Sequence, residues 1–260
     1  MKPAELRRAL AAATEAAEAS GALMRTHLRR TKKVNEAVQH DIKLDLDVRS
    51  QRLITRLLAA RFPEVPVLGE EGIDEASANV PARWVVDPID GTVNYFYGMP
   101  HAAVSIALEH EQKSVVGVIY DPFTDEIWTT VKGGPTRLNG KIVRVSTRGK
   151  LSESIVAMGF SKSKENLDKS MPHLMRLARR TKKIRIMGSA ALELAYVACG
   201  RLDAYVERRI NLWDVAAGSL LVENAGGEFY TLPAPGKYRY AMCADNGLLR
   251  KKLQIGSLLK

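Results

Sequence analysis

The chain has 260 residues, 46% of them apolar, which allows a sizeable core and argues against wholesale disorder. Lys and Arg number 39 against 29 Asp and Glu, a net charge of +10 that favours anionic partners such as phosphorylated metabolites, nucleic acid or acidic membrane. Two cysteines, Cys199 and Cys243, exclude a disulfide framework, and no apolar run suits a signal core or membrane span, so a cytoplasmic protein with no membrane partner is expected.

Residues 3–30, with Leu6, Leu10, Ala13 and Ala17 at helical spacing, predict a long amphipathic helix. Residues 31–46 read as a loop or short hairpin. A second helix over 47–61 sets Leu53, Ile54, Leu57 and Leu58 on one face, carries Asp47 near its start and stops at Phe62-Pro63. A short strand from Val65 to Leu68 ends at Gly69-Glu70-Glu71-Gly72. Strand 83–87 follows, then β-rich runs from Ala103 to Glu109, Ser114 to Tyr120 and Glu126 to Val131, with a hairpin signal at Asn139-Gly140. The pattern then changes. Strands 154–159, 183–187, 202–206 and 239–243 alternate with helices near 163–180, 189–199, 214–225 and 246–258, an α/β arrangement. One domain over 1–260 is expected, with sub-lobes of roughly 1–147 (helices and an antiparallel-rich sheet) and 148–260 (α/β).

The chemistry concentrates in Asp87-Pro88-Ile89-Asp90-Gly91-Thr92, directly after the apolar run Trp84-Val85-Val86. Two carboxylates three residues apart stand where a buried strand should end. Glu70 lies upstream and Asp214 downstream, in Trp213-Asp214-Val215-Ala216-Ala217-Gly218. Carboxylate oxygens are hard donors that suit Mg²⁺, and acids clustered without a cation would repel one another. Any one of these residues alone reads as a turn former or helix cap. Pro88 restricts the backbone on both sides, which favours a fixed turn. Gly91 permits close approach of backbone to a ligand, and Thr92 offers a hydroxyl to orient a water. The five histidines show no metal-ligand spacing; His101 lies closest in sequence to the acidic motif. Gly-x-Ser-x-Gly and the glycine-rich nucleotide fingerprints are absent.

Three elements in order, Gly69-Glu70-Glu71, Trp84 to Tyr95, and Trp213 to Gly218 followed by Glu223-Asn224-Ala225-Gly226-Gly227, resemble the inositol monophosphatase family over nearly the whole chain. The resemblance implies a layered α-β-α-β-α sandwich, an α/β fold of the inositol monophosphatase type. It implies a Mg²⁺-dependent, lithium-sensitive hydrolase acting as an inositol-1-phosphatase, and a homodimer. Glu70, Asp87 and the Ile89 carbonyl would hold a first metal, and Asp87, Asp90 and Asp214 a second; some members hold a third, looser ion near Glu70. Thr92 and Asp47 resemble the pair that positions the nucleophilic water, with Glu70 beside them. Asp90, Gly91 and Thr92 would meet the phosphate. Ser189 and Ala190 resemble a substrate-side turn, although Ser189 reads equally as a helix N-cap, and Glu207 resembles the acid that binds substrate hydroxyls.

Some residues depart from that pattern. Leu44 stands where members commonly carry Thr, and Asp41, Asp45 and Asp47 crowd together, so the water-positioning acid is not unique; Asp47 is chosen for its place at the helix start. Arg208-Arg209 beside Glu207 would suit a second phosphate, as in fructose 1,6-bisphosphate or a nucleotide 3′,5′-bisphosphate, but reads more readily as two solvated surface cations; histidinol phosphate is a further rival. Asn94-Tyr95 favours the inositol branch over the nucleotidase branch. A different class, an RNA- or protein-binding module, draws on the basic runs Arg179-Arg180-Thr181-Lys182-Lys183 and Arg250-Lys251-Lys252. Aromatics do not interleave those runs, so a small phosphorylated metabolite is the expected main partner rather than nucleic acid.

Overall fold

Strand alternation builds the molecule in layers. The computed structural model describes residues 1–38, 41–72, 80–160 and 163–256. The chain opens with helix α1 (Pro3–His27), the antiparallel pair β1 (Val34–Val38) and β2 (Asp41–Leu44), and helix α2 (Asp45–Arg61). His40 lies outside the described residues. A seven-stranded sheet follows, made in chain order by β3 (Val67–Gly69), β4 (Ala82–Asp90), β5 (Ala103–His110), β6 (Lys113–Asp121), β7 (Glu126–Val131), β8 (Arg137–Leu138) and β9 (Lys141–Ile142). The short helix α3 (Thr92–Phe96) joins β4 to β5. All its pairs are antiparallel except β3 with β4.

The second half supplies β10 (Ile155–Gly159), α4 (Lys164–Arg180), β11 (Lys183–Arg185), α5 (Ala190–Ala198), β12 (Ala204–Asn211), α6 (Leu212–Asn224), β13 (Glu228–Pro233), β14 (Arg239–Asp245) and α7 (Arg250–Leu253). Its five-stranded sheet has the order β11-β10-β12-β14-β13, parallel at β10 and antiparallel at β14.

Successive side chains of a strand point to opposite faces, and here each face has its own core. Trp84, Val86, Val104, Ile106 and Leu108 pack against Ala9, Ala13, Ala16 and Met24 of α1 and Ile54 and Leu58 of α2. The alternate residues Val85, Ala103 and Ala107 face α5 and α6. Tyr205, Met242 and Ala244 close that central layer from the second sheet. On the far face, Ala204, Val206, Ala241 and Cys243 meet Leu177 of α4 and Leu253 of α7. The order is therefore α-β-α-β-α. Both cysteines are free, as expected, with Cys243 buried and Cys199 partly so.

Three segments differ from the sequence reading. β4 does not stop at Asp87 but runs on to Asp90, through an extra residue in the register against β5 between Asp87 and Asp90. A bulge is one of the few places a strand interior accepts proline. β13 was not anticipated; it is an edge strand with Pro233 at its end. The expected helix over 246–258 starts later, at Arg250, and breaks after Leu253; residues 257 and 258 lie outside the described residues. Asp245 accepts the Gly247 N–H at 2.8 Å and Asn246 accepts the Leu248 N–H at 3.1 Å, two local turns that compete with helix before residue 249.

Candidate active site

The bulge in β4 is the base of the site. Within it the Ile89 N–H donates to Asp87 Oδ1 at 3.0 Å, and the Thr92 hydroxyl donates to the Ile89 carbonyl at 2.8 Å. Gly91, with φ of 92°, turns the chain from β4 into α3. A side chain there would be strained and would press on the His101 and Gly188 carbonyls, at 3.0 and 3.1 Å. Asn94 ties this turn to the segment before α5 by donating to the His101 carbonyl at 3.0 Å and the Met187 carbonyl at 2.8 Å.

Helix starts deliver the other acids. Asp214 is the third residue of α6, and its Oδ2 accepts the Asn211 N–H at 2.9 Å. Asp47 holds the same position in α2, accepting the Leu44 N–H at 2.7 Å. In both, one carboxylate oxygen caps the helix. Asp90 receives the start of α5: the Ser189 hydroxyl, the Ala191 N–H at 2.9 Å and the Ala190 N–H at 3.3 Å all donate to it. Ser189 also accepts the Leu192 N–H, so its N-cap role and its place in the site coexist.

Carboxylate oxygens of Asp87, Asp90 and Asp214 lie within 4.8 Å of one another. They line a cleft of about 370 Å³ together with Glu70, Ile89, Gly91, Thr92, Ser189, Ala190, Glu193, Tyr205 and Glu207. Six acidic residues line this cleft, and no Lys, Arg or His does so among the described residues. Asp87 and Asp90 are only 2% and 7% exposed. Burial, then Glu70, Asp90 and Asp214, push the Asp87 pKa well above the carboxylate range. Burial raises Asp214 likewise, with Asp90 adding to it. Asp90 is raised by burial to about 6 in spite of its three donors. Burial takes Glu193 and Glu207 each up to about 8.

This donor set fits hard divalent cations. Clustered, desolvated oxygens without a cationic side chain are unfavourable alone and favourable around an ion. Asp87, Asp90 and Asp214 would hold one ion, and Glu70, Asp87 and the Ile89 carbonyl would hold another.

Of the other predicted residues, the side chain of Asp41 lies outside the described residues. Glu70, Gly91, Thr92, Ser189, Ala190 and Glu207 line the cleft, whereas Asp47 does not. Asp47 is 2% exposed and near enough to raise the Asp87 pKa. Asp45 instead faces Arg49, at 3.8 Å, which favours Asp47 between the two. Arg208 and Arg209 lie outside the cleft: they line a separate small cavity with Glu165 and Asn166 of α4, and Arg208 donates to Asn166 at 3.2 Å. His101 does not line the cleft; its ring packs beside Tyr196. Sequence reasoning missed Glu193, Tyr205 and Gln51. Gln51 of α2 accepts the Glu71 N–H at 2.8 Å and donates to the Glu71 carbonyl at 2.6 Å, fixing the turn that carries Glu70. Glu193, 1% exposed, is an acid in the otherwise apolar helix Ala190–Ala198, and that isolation is a signal the sequence did carry.

The chain matches the inositol monophosphatase family over residues 5–250. The inositol-1-monophosphatase of Rhizobium meliloti is 41% identical over 182 residues, covering 70% of this chain and 68% of that protein. A Nus factor SuhB of Xylella fastidiosa is 38% identical over 216 residues, covering 82% and 78%. The crystal structure of the extragenic suppressor protein suhB of Bartonella henselae superposes with a TM-score of 0.87 at 32% identity, covering 96% of this chain and 97% of that one. Sequence and fold agree over nearly the full length, and the chain belongs to the inositol monophosphatase family.

Proposed function

We propose that the chain is a Mg²⁺-dependent phosphomonoesterase acting on inositol monophosphate as a homodimer of single-domain subunits. The observation that carries the reading is the cleft of six acids with no basic side chain among the described residues. A phosphate ester cannot enter such a cleft without added positive charge. When bound, Mg²⁺ ions supply that charge, polarise phosphoryl oxygen and lower the pKa of water. The chain's own residues do the rest. Thr92 spends its proton on the Ile89 carbonyl, so its oxygen is left as an acceptor that can orient a water. Asp47 supports that water from behind the cleft. The turn over residues 90–92 offers backbone to the phosphate, and the α5 donors keep Asp90 in place. Glu207 accepts from substrate hydroxyls. A monophosphate is favoured because Arg208 and Arg209, the nearest cations in sequence to Glu207, do not line the cleft.

Phosphate release from inositol 1-phosphate, fructose 1,6-bisphosphate, 3′-phosphoadenosine 5′-phosphate and histidinol phosphate, with Mg²⁺ and after chelation, tests this. The highest kcat/KM is expected on inositol 1-phosphate, with loss of turnover on chelation. High activity on a rival beside inactivity on inositol phosphates would reassign the substrate. No release from any compound would overturn the enzymatic reading.

A second reading has one observation behind it. Arg176 and Arg180 of α4 donate to the Gln254 carbonyl and side chain, at 2.7 and 3.1 Å, so the basic runs ending α4 and forming α7 stand side by side. That face could bind RNA or an acidic protein. Salt-sensitive RNA binding without phosphatase activity would make it the main function.

A further inference from the structure

We infer that Tyr205, backed by Glu193, is a positioning residue that aims Glu207 into the cleft and so sets the preference for phosphate esters carrying a free hydroxyl. The inference rests on the reading of the cleft given above. Tyr205 and Glu207 are two residues apart on β12, so both side chains leave the same face, and both line the cleft. The Tyr205 hydroxyl donates to Glu207 Oε2. Glu193 lines the same cleft, close enough to Tyr205 for the two groups to influence each other electrostatically. Glu193 is itself anchored, because its Oε1 accepts the Met187 N–H at 3.0 Å.

Gly159 completes the device. It is the register partner of Glu207 between the parallel strands β10 and β12. A methyl group at that position would strike the Glu207 carboxylate and come within 3.0 Å of the Tyr205 hydroxyl. The missing side chain is the space in which the carboxylate sits.

A glutamate side chain has three rotatable bonds and loses considerable entropy when fixed by substrate alone. Here the fixing is done before substrate arrives, by one hydroxyl, one glycine and one buried acid. A pre-aimed acceptor rewards a ligand hydroxyl and is left unpaired by a ligand lacking one. Loosening the aim should therefore weaken hydroxylated substrates selectively. An aryl phosphate brings the same phosphate without the hydroxyls, so it should be less affected. This pattern separates positioning from a general packing role.

The test is steady-state kinetics with Mg²⁺ on inositol 1-phosphate and on p-nitrophenyl phosphate, for the full chain and for Tyr205→Phe, Glu193→Leu and Glu193→Gln. Tyr205→Phe should lower the ratio of kcat/KM on the two substrates about tenfold, through KM for inositol 1-phosphate. Glu193→Leu should do the same. Glu193→Gln should recover the ratio, since an amide can accept from Met187 and donate to Tyr205. Equal losses on both substrates, or an unchanged ratio, would overturn the inference. If Tyr205→Phe fails to fold, the two Glu193 variants decide: equal ratios in Leu and Gln would refute it. A wild-type chain active on the aryl phosphate but inactive on inositol 1-phosphate would instead sink the substrate reading, and the hydroxyl preference with it.

Discussion

Asp87→Asn is expected to lower turnover by about three orders of magnitude while raising the melting temperature of the metal-free protein. Asp87 is the carboxylate common to both candidate ion sites. Its replacement removes a charge where positive charge must be gathered. The local fold should survive, because an asparagine carbonyl can still accept the Ile89 N–H now bonded at 3.0 Å to Asp87 Oδ1. Without metal, the same charge is a burden: burial and then Glu70, Asp90 and Asp214 all oppose ionisation of Asp87. A neutral isostere relieves that repulsion. Kinetics at saturating Mg²⁺ and thermal melting in chelator would be measured together. Wild-type turnover would refute the role, and a lowered melting temperature in chelator would show Asp87 to be structural. Asp90→Asn is the less clean variant, since Asp90 also accepts three donors at the start of α5. An amide nitrogen cannot replace both acceptor oxygens.

The stabilisation conferred by Mg²⁺ should grow as pH rises from about 5 to about 8. Asp90 is raised from 3.8 to about 6, and Glu193 and Glu207 from 4.5 to about 8, chiefly by burial. In that interval the folded, metal-free chain holds protons that the unfolded chain has released. Its stability is therefore full below the unfolded values, near 4, and is lost as pH rises through the folded ones. For Asp90, 7% exposed, a shift of that size corresponds to roughly 3 kcal/mol. Bound cations favour the ionised carboxylates and reverse the penalty. Melting curves with Mg²⁺ and with chelator at pH 5.5 and pH 8 give the comparison. A Mg²⁺ effect equal at both values, or larger at the acidic one, would count against the acidic cleft as the binding site.

The sequence carried the parts of the site that local chemistry specifies. Asp87 and Asp90 follow the apolar run of β4 and Asp214 stands in the first turn of α6, and the three converge. The layering was expected from the family resemblance, not from local pattern: β4 is apolar on both faces, and its alternate residues enter different cores. What was not legible depends on tertiary neighbours. Pro88 signalled a rigid turn, yet the strand continues through a bulge, because β5 offers pairing on both sides of it. Arg208 could be read from the sequence as a substrate cation or as a surface charge; the structure points it at Asn166 of α4, away from the face shared by Tyr205 and Glu207. Gln51 acts on a turn 20 residues away, and nothing local marks it. Asp45 and Asp47 look alike in sequence and differ in their surroundings, Asp47 being buried and Asp45 paired with Arg49.

The most direct measurement is the anomalous scattering of crystals soaked in Mn²⁺, a stand-in for Mg²⁺ that can be located unambiguously. Density for at least one ion ligated by Asp87, Asp90 and Asp214 is expected, lost in the Asp87→Asn protein. Mn²⁺ bound only elsewhere, or the same density retained in that variant, would contradict the account.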